Sequence, residues 1–437
     1  MAAQKKTSPS FFGRAVSLFK KAFLKPPAPK AKKSGTSVRK KTAKKAAVSI
    51  QKTAFVPKKA ARTRKKPIEK AVFTRKKGVT TPKKTPLFPL VSPPSVPKKK
   101  AVSKKKPAKK FAFVAAKHNP IIAPKSEHAW EAWQTFNPGV IELAGAVHFI
   151  YRAIGSDGVS RLGYASSSDG FSIAERLAHP VFEHRARPAK FNPYSYFSGG
   201  SFSGAEDPRL VRVGDEDTIY MTYTACDNGL RVGLASIKVR DFLQKKWKWN
   251  PSVIISPPGE VHKNWVIFPE KINGKYAILH SINPEVAIEY VDNLDFKDAL
   301  PIKSTHGGPP RKDGWDKWVR GVGPVPLKTP HGWLVFYHAM DDDWGKYKVG
   351  AMLLDLNDPT KVLCRAKEPV LEPTEAYGNE GFKPGVVYAP GAVIRDGKLL
   401  LYYGVADSYA GVAHADAGVF LDELRKNMAP KARRKTT

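Results

Sequence analysis

Cysteine occurs twice in the 437 residues, at Cys226 and Cys364, far apart and in no metal-ligand spacing. That excludes a disulfide framework and a cysteine zinc site, and it fits reduced thiols in an intracellular protein. No apolar run approaches the ~18 residues needed to span a bilayer. The N-terminal stretch has no signal-peptide core, because Arg14 interrupts its one apolar run between lysine pairs. Acid is almost missing from residues 1–117, where Glu69 stands alone against 36 Lys and Arg. Glycine-rich dinucleotide and Walker loops, the HExxH helix and the nucleophile elbow are also lacking, which excludes the commonest nucleotide-binding, zinc-protease and serine-hydrolase signatures.

What is present divides by charge. The first 117 residues carry +35 of the chain's +37, and residues 425–437 add six more basic groups. Residues 118–424 therefore hold 33 basic against 37 acidic side chains, and they contain all nine tryptophans. The expected organisation is a disordered basic tail at 1–117, a globular body at 118–424 and a short basic C-terminal tail at 425–437. In the first tail, lysine repulsion and scarce apolar mass cannot offset the backbone entropy of folding. Dense lysine displaces counterions from phosphates, so the tail is expected to bind nucleic acid without sequence preference. This places the protein in the cytoplasm, associated with the nucleoid. Within the tail, Phe12, Val16, Phe19 and Phe23 recur at spacings of 4, 3 and 4 among basic residues. Residues 10–25 thus form a short amphipathic helix candidate, suited to peripheral contact with an anionic membrane.

The body repeats. Five times an X-Pro step (Asn137-Pro138, Asp207-Pro208, Phe268-Pro269, Gly323-Pro324, Ala389-Pro390) precedes a short strand, a turn and an alternating strand. The alternating strands end at Tyr151, Tyr223, His280, Tyr337 and Tyr403, 57 to 72 residues apart, and a third strand follows each. Units this small cannot bury their own faces and stack radially, so the pattern predicts an all-β, five-bladed β-propeller. The first strand of each blade lines the axis, and the X-Pro segments should converge there. They bring Asn137, Glu206, Asp207, Arg209, Lys263, Asn264, Lys271, Arg320 and Tyr388, with Arg152, Tyr337, His338 and Asp407 at or beside the second-strand ends. Cations outnumber carboxylates, as suits a polar substrate plus an anion. Trp130, Trp265, Trp315, Trp318 and Trp344 are candidates for stacking on sugar faces.

At Ala205-Glu206-Asp207-Pro208-Arg209-Leu210, Phe268-Pro269-Glu270-Lys271-Ile272-Asn273-Gly274-Lys275-Tyr276, Gly332-Trp333-Leu334-Val335-Phe336-Tyr337-His338 and Tyr402-Tyr403-Gly404-Val405-Ala406-Asp407, the sequence resembles glycoside hydrolase family 130. The resemblance covers nearly all of 130–424. It implies a five-bladed propeller and cleavage of β-mannosides, mainly by inverting phosphorolysis, with Asp207 as catalytic acid. Inorganic phosphate is then a co-substrate, with no cofactor and no metal. Lys263, Lys271, Arg320 and His338 are the candidate phosphate ligands. Asn137, Arg152, Glu206, Arg209, Asn264, Tyr337 and Asp407 are the candidate contacts to an oligosaccharide or glycoside. A phosphorylase needs no second carboxylate, because phosphate is already a nucleophile. The alternatives are an inverting hydrolase, for which Glu380 or Asp407 is the candidate base, and a non-catalytic sugar-binding propeller. Where many phosphorylases of the family carry Arg, this chain has Ser281.

Overall fold

The computed structural model describes residues 112–427, apart from 185–198, 227–228, 297–299, 343–345 and 375–379. The basic tail up to 111, with the helix candidate at 10–25, lies outside the described residues, as do 428–437 and Trp344.

A strand β1 (Val114–Ala115) precedes the repeats. Blade 1 contains β2 (Gln134–Leu143), β3 (Ala146–Ile154), β4 (Val159–Ser167) and the short β5 (Glu175–Arg176). Blade 2 contains β6 (Ser203–Arg212), β7 (Thr218–Cys226), β8 (Leu230–Lys238) and β9 (Val253–Ile254). Blade 3 is smaller, with β10 (Val266–Ile267), β11 (Tyr276–Ser281) and β12 (Ala287–Val291). Blade 4 contains β13 (Trp318–Val322), β14 (Leu327–Thr329), β15 (Gly332–Met340), β16 (Lys348–Leu354) and β17 (Val362–Arg365). Blade 5 contains β18 (Val387–Arg395), β19 (Lys398–Val405) and β20 (Tyr409–Asp416). Its outer strand is β1, which pairs antiparallel with β20. Two short α-helices, α1 (Val239–Leu243) and α2 (Ala417–Arg425), and a 3-10 turn at Ala129–Glu131 complete the described elements.

The ring is visible in the core. Ile150 and Leu162 of blade 1 pack with Leu210 and Met221 of blade 2, and Val211 and Val232 of blade 2 with Trp265 and Ile278 of blade 3. Leu279 of blade 3 packs with Val335 and Met352 of blade 4, and Phe336 and Val349 of blade 4 with Leu401 and Ala413 of blade 5. Finally Tyr402 and Val412 of blade 5 pack with Val147 and Phe149 of blade 1. Each blade is apolar on both faces because each has a neighbour on both sides, so the fold is a closed five-bladed propeller.

Closure moves the expected boundaries. Phe113 is 7% exposed and packs on Phe336 and Phe420, while β1 covers the edge of β20, so the body begins before residue 118. At the other end α2 runs through Arg425, capped by Asp416, whose side chain accepts from the Val419 amide. An uncovered β20 would present an unpaired edge, which explains why the chain returns to cover it.

The inner strands are bent where they meet the axis. Register shifts fall between Phe136 and Gly139, Glu206 and Arg209, Val319 and Gly321, and Tyr388 and Gly391. Asn137 and Asp207 both have φ 48°, Asn264 67° and Gly321 133°, so four blades place a left-handed residue at this position, where Asn, Asp and Gly are least penalised. The strand registers make Asn137, Asp207, Asn264, Gly321 and Ala389 equivalent. The expected equivalence of the five X-Pro steps therefore holds for blades 1, 2 and 5 only. Phe268-Pro269 and Gly323-Pro324 lie four and two residues past the bend.

Candidate active site

The bends bring one residue per blade to the face where the inner strands begin. Asp207 is 3% exposed, and its Oδ1 accepts from Asn137 Nδ2 at 2.7 Å and from an Arg152 guanidinium nitrogen at 3.2 Å. The neighbouring Glu206 is wholly buried. Its Oε1 accepts from Arg152 at 3.0 Å and from Ser201 Oγ at 2.8 Å, and its Oε2 from Lys263 Nζ at 3.1 Å. Arg152 is itself fixed, donating through Nε to Ser160 Oγ at 3.0 Å and lying 4.6 Å from the centre of the Phe136 ring. A guanidinium fork shared by two carboxylates is among the stronger polar arrangements available to a protein.

Arg209 ties the other blades together. It donates to the backbone oxygens of Gly323 at 2.8 Å and Asp207 at 2.7 Å, to Asn264 Oδ1 at 3.1 Å and to the Tyr388 hydroxyl at 2.5 Å. The Tyr388 hydroxyl donates to the same Asn264 oxygen, and Asn264 Nδ2 donates to the backbone oxygen of Arg320 at 3.1 Å. The left-handed backbone at Asp207 and Asn264 thus points both side chains into one network.

Electrostatics follow from this packing. Burial pushes the Asp207 carboxyl up, but Arg152, Lys263 and Arg209, with the Asn137 hydrogen bond, outweigh it and hold Asp207 well below the usual carboxylate range. Burial disfavours the charged Lys263, yet Glu206 and Asp207 hold its pKa above the ordinary lysine value. His306 is pushed well below the usual imidazole range by burial and by Arg320, Lys263 and His262. Lys263 and Arg320 therefore form a cationic corner beside the acid pair, with the neutral imidazole of His306 between their fields. Arg320 Nε donates to the Tyr347 hydroxyl at 3.0 Å.

Of the residues expected from the sequence, Asn137, Arg152, Glu206, Asp207, Arg209, Lys263 and Asn264 are joined directly, and Arg320 reaches them through its backbone oxygen. Asp407 sits in the β19–β20 turn of the same face with φ 49°, paired with Lys383 at 3.0 Å. Glu380 precedes Lys383 and is exposed. Lys271 is elsewhere. It pairs with Glu216 at 3.5 Å and lies over the Tyr276 ring at 4.3 Å, past the far end of the inner strands, because Pro269 does not mark the bend in blade 3.

His338 is fully buried, and its Nε2 accepts the Ala389 amide at 2.8 Å while its ring stacks on Tyr388 at 4.0 Å. Burial and Arg209 push it down to about 3, so it is a neutral brace and not the cation expected. Tyr337 belongs to a repeated packing device. Tyr151, Tyr223 and Tyr337 each lie across Gly163, Gly233 and Gly350 of the next strand, where an added methyl would fall 2.3 Å from the ring. The Tyr337 hydroxyl donates to Asp316 at 2.8 Å, away from Asp207. Trp130 stacks on Tyr151, Trp315 on Tyr337, and Trp265 is 2% exposed, so these three tryptophans serve packing. Sequence reasoning missed Ser201, His306 and Lys383. They lie in irregular segments outside the repeats, and only the glycines after His306 marked a turn there.

The chain is similar to proteins already known. The family model for glycoside hydrolase family 130, described as beta-1,4-mannooligosaccharide phosphorylase, matches residues 105–426. A 1,2-beta-oligomannan phosphorylase of Thermoanaerobacter sp. (strain X514) is 37% identical over 306 residues, covering 67% of this chain and 94% of that protein. The β-1,2-mannobiose phosphorylase of Listeria innocua, solved with β-1,2-mannobiose, superposes with a TM-score of 0.55 at 27% identity, covering 72% of this chain and 99% of that one. A further structure comes from work on glycoside hydrolases within the GH130 mannoside phosphorylases, acting on β-1,2 linkages in Candida mannan. It superposes with a TM-score of 0.57 at 27% identity, covering 70% and 95%.

Proposed function

The chain belongs to glycoside hydrolase family 130, and on that footing we propose that it cleaves β-1,2-linked mannosides by inverting phosphorolysis. Asp207 delivers a proton to the glycosidic oxygen, directly or through a sugar hydroxyl. A phosphate oxygen attacks the anomeric carbon from the opposite face, the carbon–oxygen bond to the leaving sugar breaks, and α-mannose 1-phosphate departs with a shortened acceptor. Lys263, Arg320 and the imidazole of His306 cradle the phosphate, while Asn137, Arg152 and Glu206 hold Asp207 and the sugar. Bound phosphate dianion cancels the cations that keep Asp207 ionised, so phosphate binding raises its proton affinity when a proton is required.

The observation that carries this reading is Lys263 Nζ, 3.1 Å from Glu206 in the cationic corner beside Asp207. For hydrolysis, a carboxylate must activate water about 6.5–9.5 Å from the acid. Asp407 is engaged by Lys383 and Glu380 faces solvent, which favours the anion-binding alternative. Incubation with β-1,2-mannobiose should yield α-mannose 1-phosphate only when inorganic phosphate is added. Free mannose released at the same rate without phosphate would overturn phosphorolysis.

The basic tail supplies a second, separable property. Thirty-six cations against one acid over 1–117 support sequence-independent binding of nucleic acid, and hence association with the nucleoid. Duplex DNA affinity should fall linearly in log K against log salt, without preference among sequences. Binding to anionic vesicles but not to DNA would assign the tail, through residues 10–25, to membranes instead.

A further inference from the structure

A large aromatic side chain left in water beside a polar funnel needs an explanation. Trp265 and Trp333 are each 2% exposed, whereas Trp133 is 45% exposed. Trp133 is not on a loose loop, since its amide donates to the Ile154 oxygen at 3.1 Å, immediately before β2. Asn137 lies four residues further on, within β2, ~13 Å away. Phe382 meets Trp133 edge to face at 5.4 Å and 83°, and the Phe382 amide donates to Ser408 Oγ at 3.0 Å, next to Asp407.

Two glycines join this pair to the acid cluster. A methyl at Gly200 would lie 2.9 Å from the Trp133 ring and 3.1 Å from Phe382. A methyl at Gly199 would lie 3.0 Å from Phe136, the ring beneath Arg152, and 3.3 Å from Asp407 Oδ2. Both have φ in the left-handed region, at 69° and 94°, and Ser201, which follows them, donates to Glu206. The aromatic pair is therefore continuous with the clamp on Asp207. Lys383 and Asp407, 3.0 Å apart, put a donor and an acceptor beside it.

An exposed ring flanked by fixed hydrogen-bonding groups matches a pyranose, which has an apolar C–H face and a rim of hydroxyls. Resting on the reading given above, we infer that Trp133 and Phe382 form a stacking platform for a mannosyl residue of the substrate beyond the pair whose linkage is cleaved. The platform makes the site favour oligosaccharides over the disaccharide.

The test compares kcat/KM for phosphorolysis of β-1,2-mannotetraose with that of β-1,2-mannobiose, using the full chain and its Trp133→Ala and Trp133→Phe variants. The tetraose-to-biose ratio should fall about tenfold in Trp133→Ala and recover in Trp133→Phe. Equal losses on both substrates, or an unchanged ratio, would overturn the platform while leaving phosphorolysis intact. If the wild-type protein releases no sugar phosphate from either mannoside, the proposed function fails, and calorimetric titration with mannotetraose decides the inference alone. Weaker binding in Trp133→Ala than in wild type would support it, and equal binding or none would reject it.

Discussion

Asn137 and Asp207 occupy the same bend of successive blades, both at φ 48°, and the first donates its side-chain amide to the carboxylate of the second at 2.7 Å. Two copies of one repeat position have thus diverged into an acid and its hydrogen-bond donor. Asparagine at position 207 keeps the backbone preference and much of the shape. Asp207→Asn should therefore leave the melting temperature within a few degrees while lowering kcat by about 10²–10⁴, the range general acid catalysis contributes. Near-wild-type turnover in that variant would place the acid elsewhere.

The two lysines expected at the phosphate site should now behave differently. Lys263→Ala removes a cation from the buried corner and should raise KM for phosphate at least tenfold. Lys271→Ala removes an exposed pair with Glu216 on the far side, so its KM for phosphate should stay within about twofold and its melting temperature close to that of the wild type. Initial-rate kinetics over a range of phosphate concentrations separate the two cases.

His338 gives a pH dependence of stability. Its folded pKa of about 3 lies below the ~6.5 of a free imidazole, so the unfolded chain takes up a proton that the folded chain refuses. The stabilisation is complete above about pH 6.5 and is lost progressively as pH falls toward 3, at up to ~1.4 kcal/mol per unit. His338→Gln offers the Ala389 amide an acceptor that does not titrate. Denaturant titrations at pH 7 and pH 5 should show a smaller acid loss in the variant than in wild type. Equal losses would remove His338 as the cause.

The N-terminal boundary can be found by truncation. Removing residues 1–110 leaves Phe113 and β1 and should preserve the melting temperature and turnover, while salt-sensitive DNA affinity drops sharply. Removing 1–117 also deletes Phe113 from the contact with Phe336 and Phe420 and uncovers β20. Loss of a buried Phe alone costs ~3–5 kcal/mol. The melting temperature should fall by many degrees, and equal stability of the two truncations would show that β1 is dispensable.

The sequence alone carried the division by charge, the all-β class and the fivefold repeat, because alternation and turn residues are local properties of a strand. It also carried the position of Asp207 at the axis, since Glu-Asp-Pro-Arg combines an acid, a rigid neighbour and a partner for the axis within four residues. Tertiary structure decided the rest. Proline follows the bend residue in blades 1, 2 and 5, but what blades 1 to 4 share at the bend is a left-handed residue, and in blades 3 and 4 Asn264 and Gly321 supply it without proline. Counting from proline therefore carried Lys271 into the site. His338 and Tyr337 carry functional side-chain types, but their roles depend on which strand lies across from them, and burial made one a neutral brace and the other a cover for glycine. Residues 113–115 show no repeat of their own and join the body only because a closed ring leaves β20 an edge to be paired.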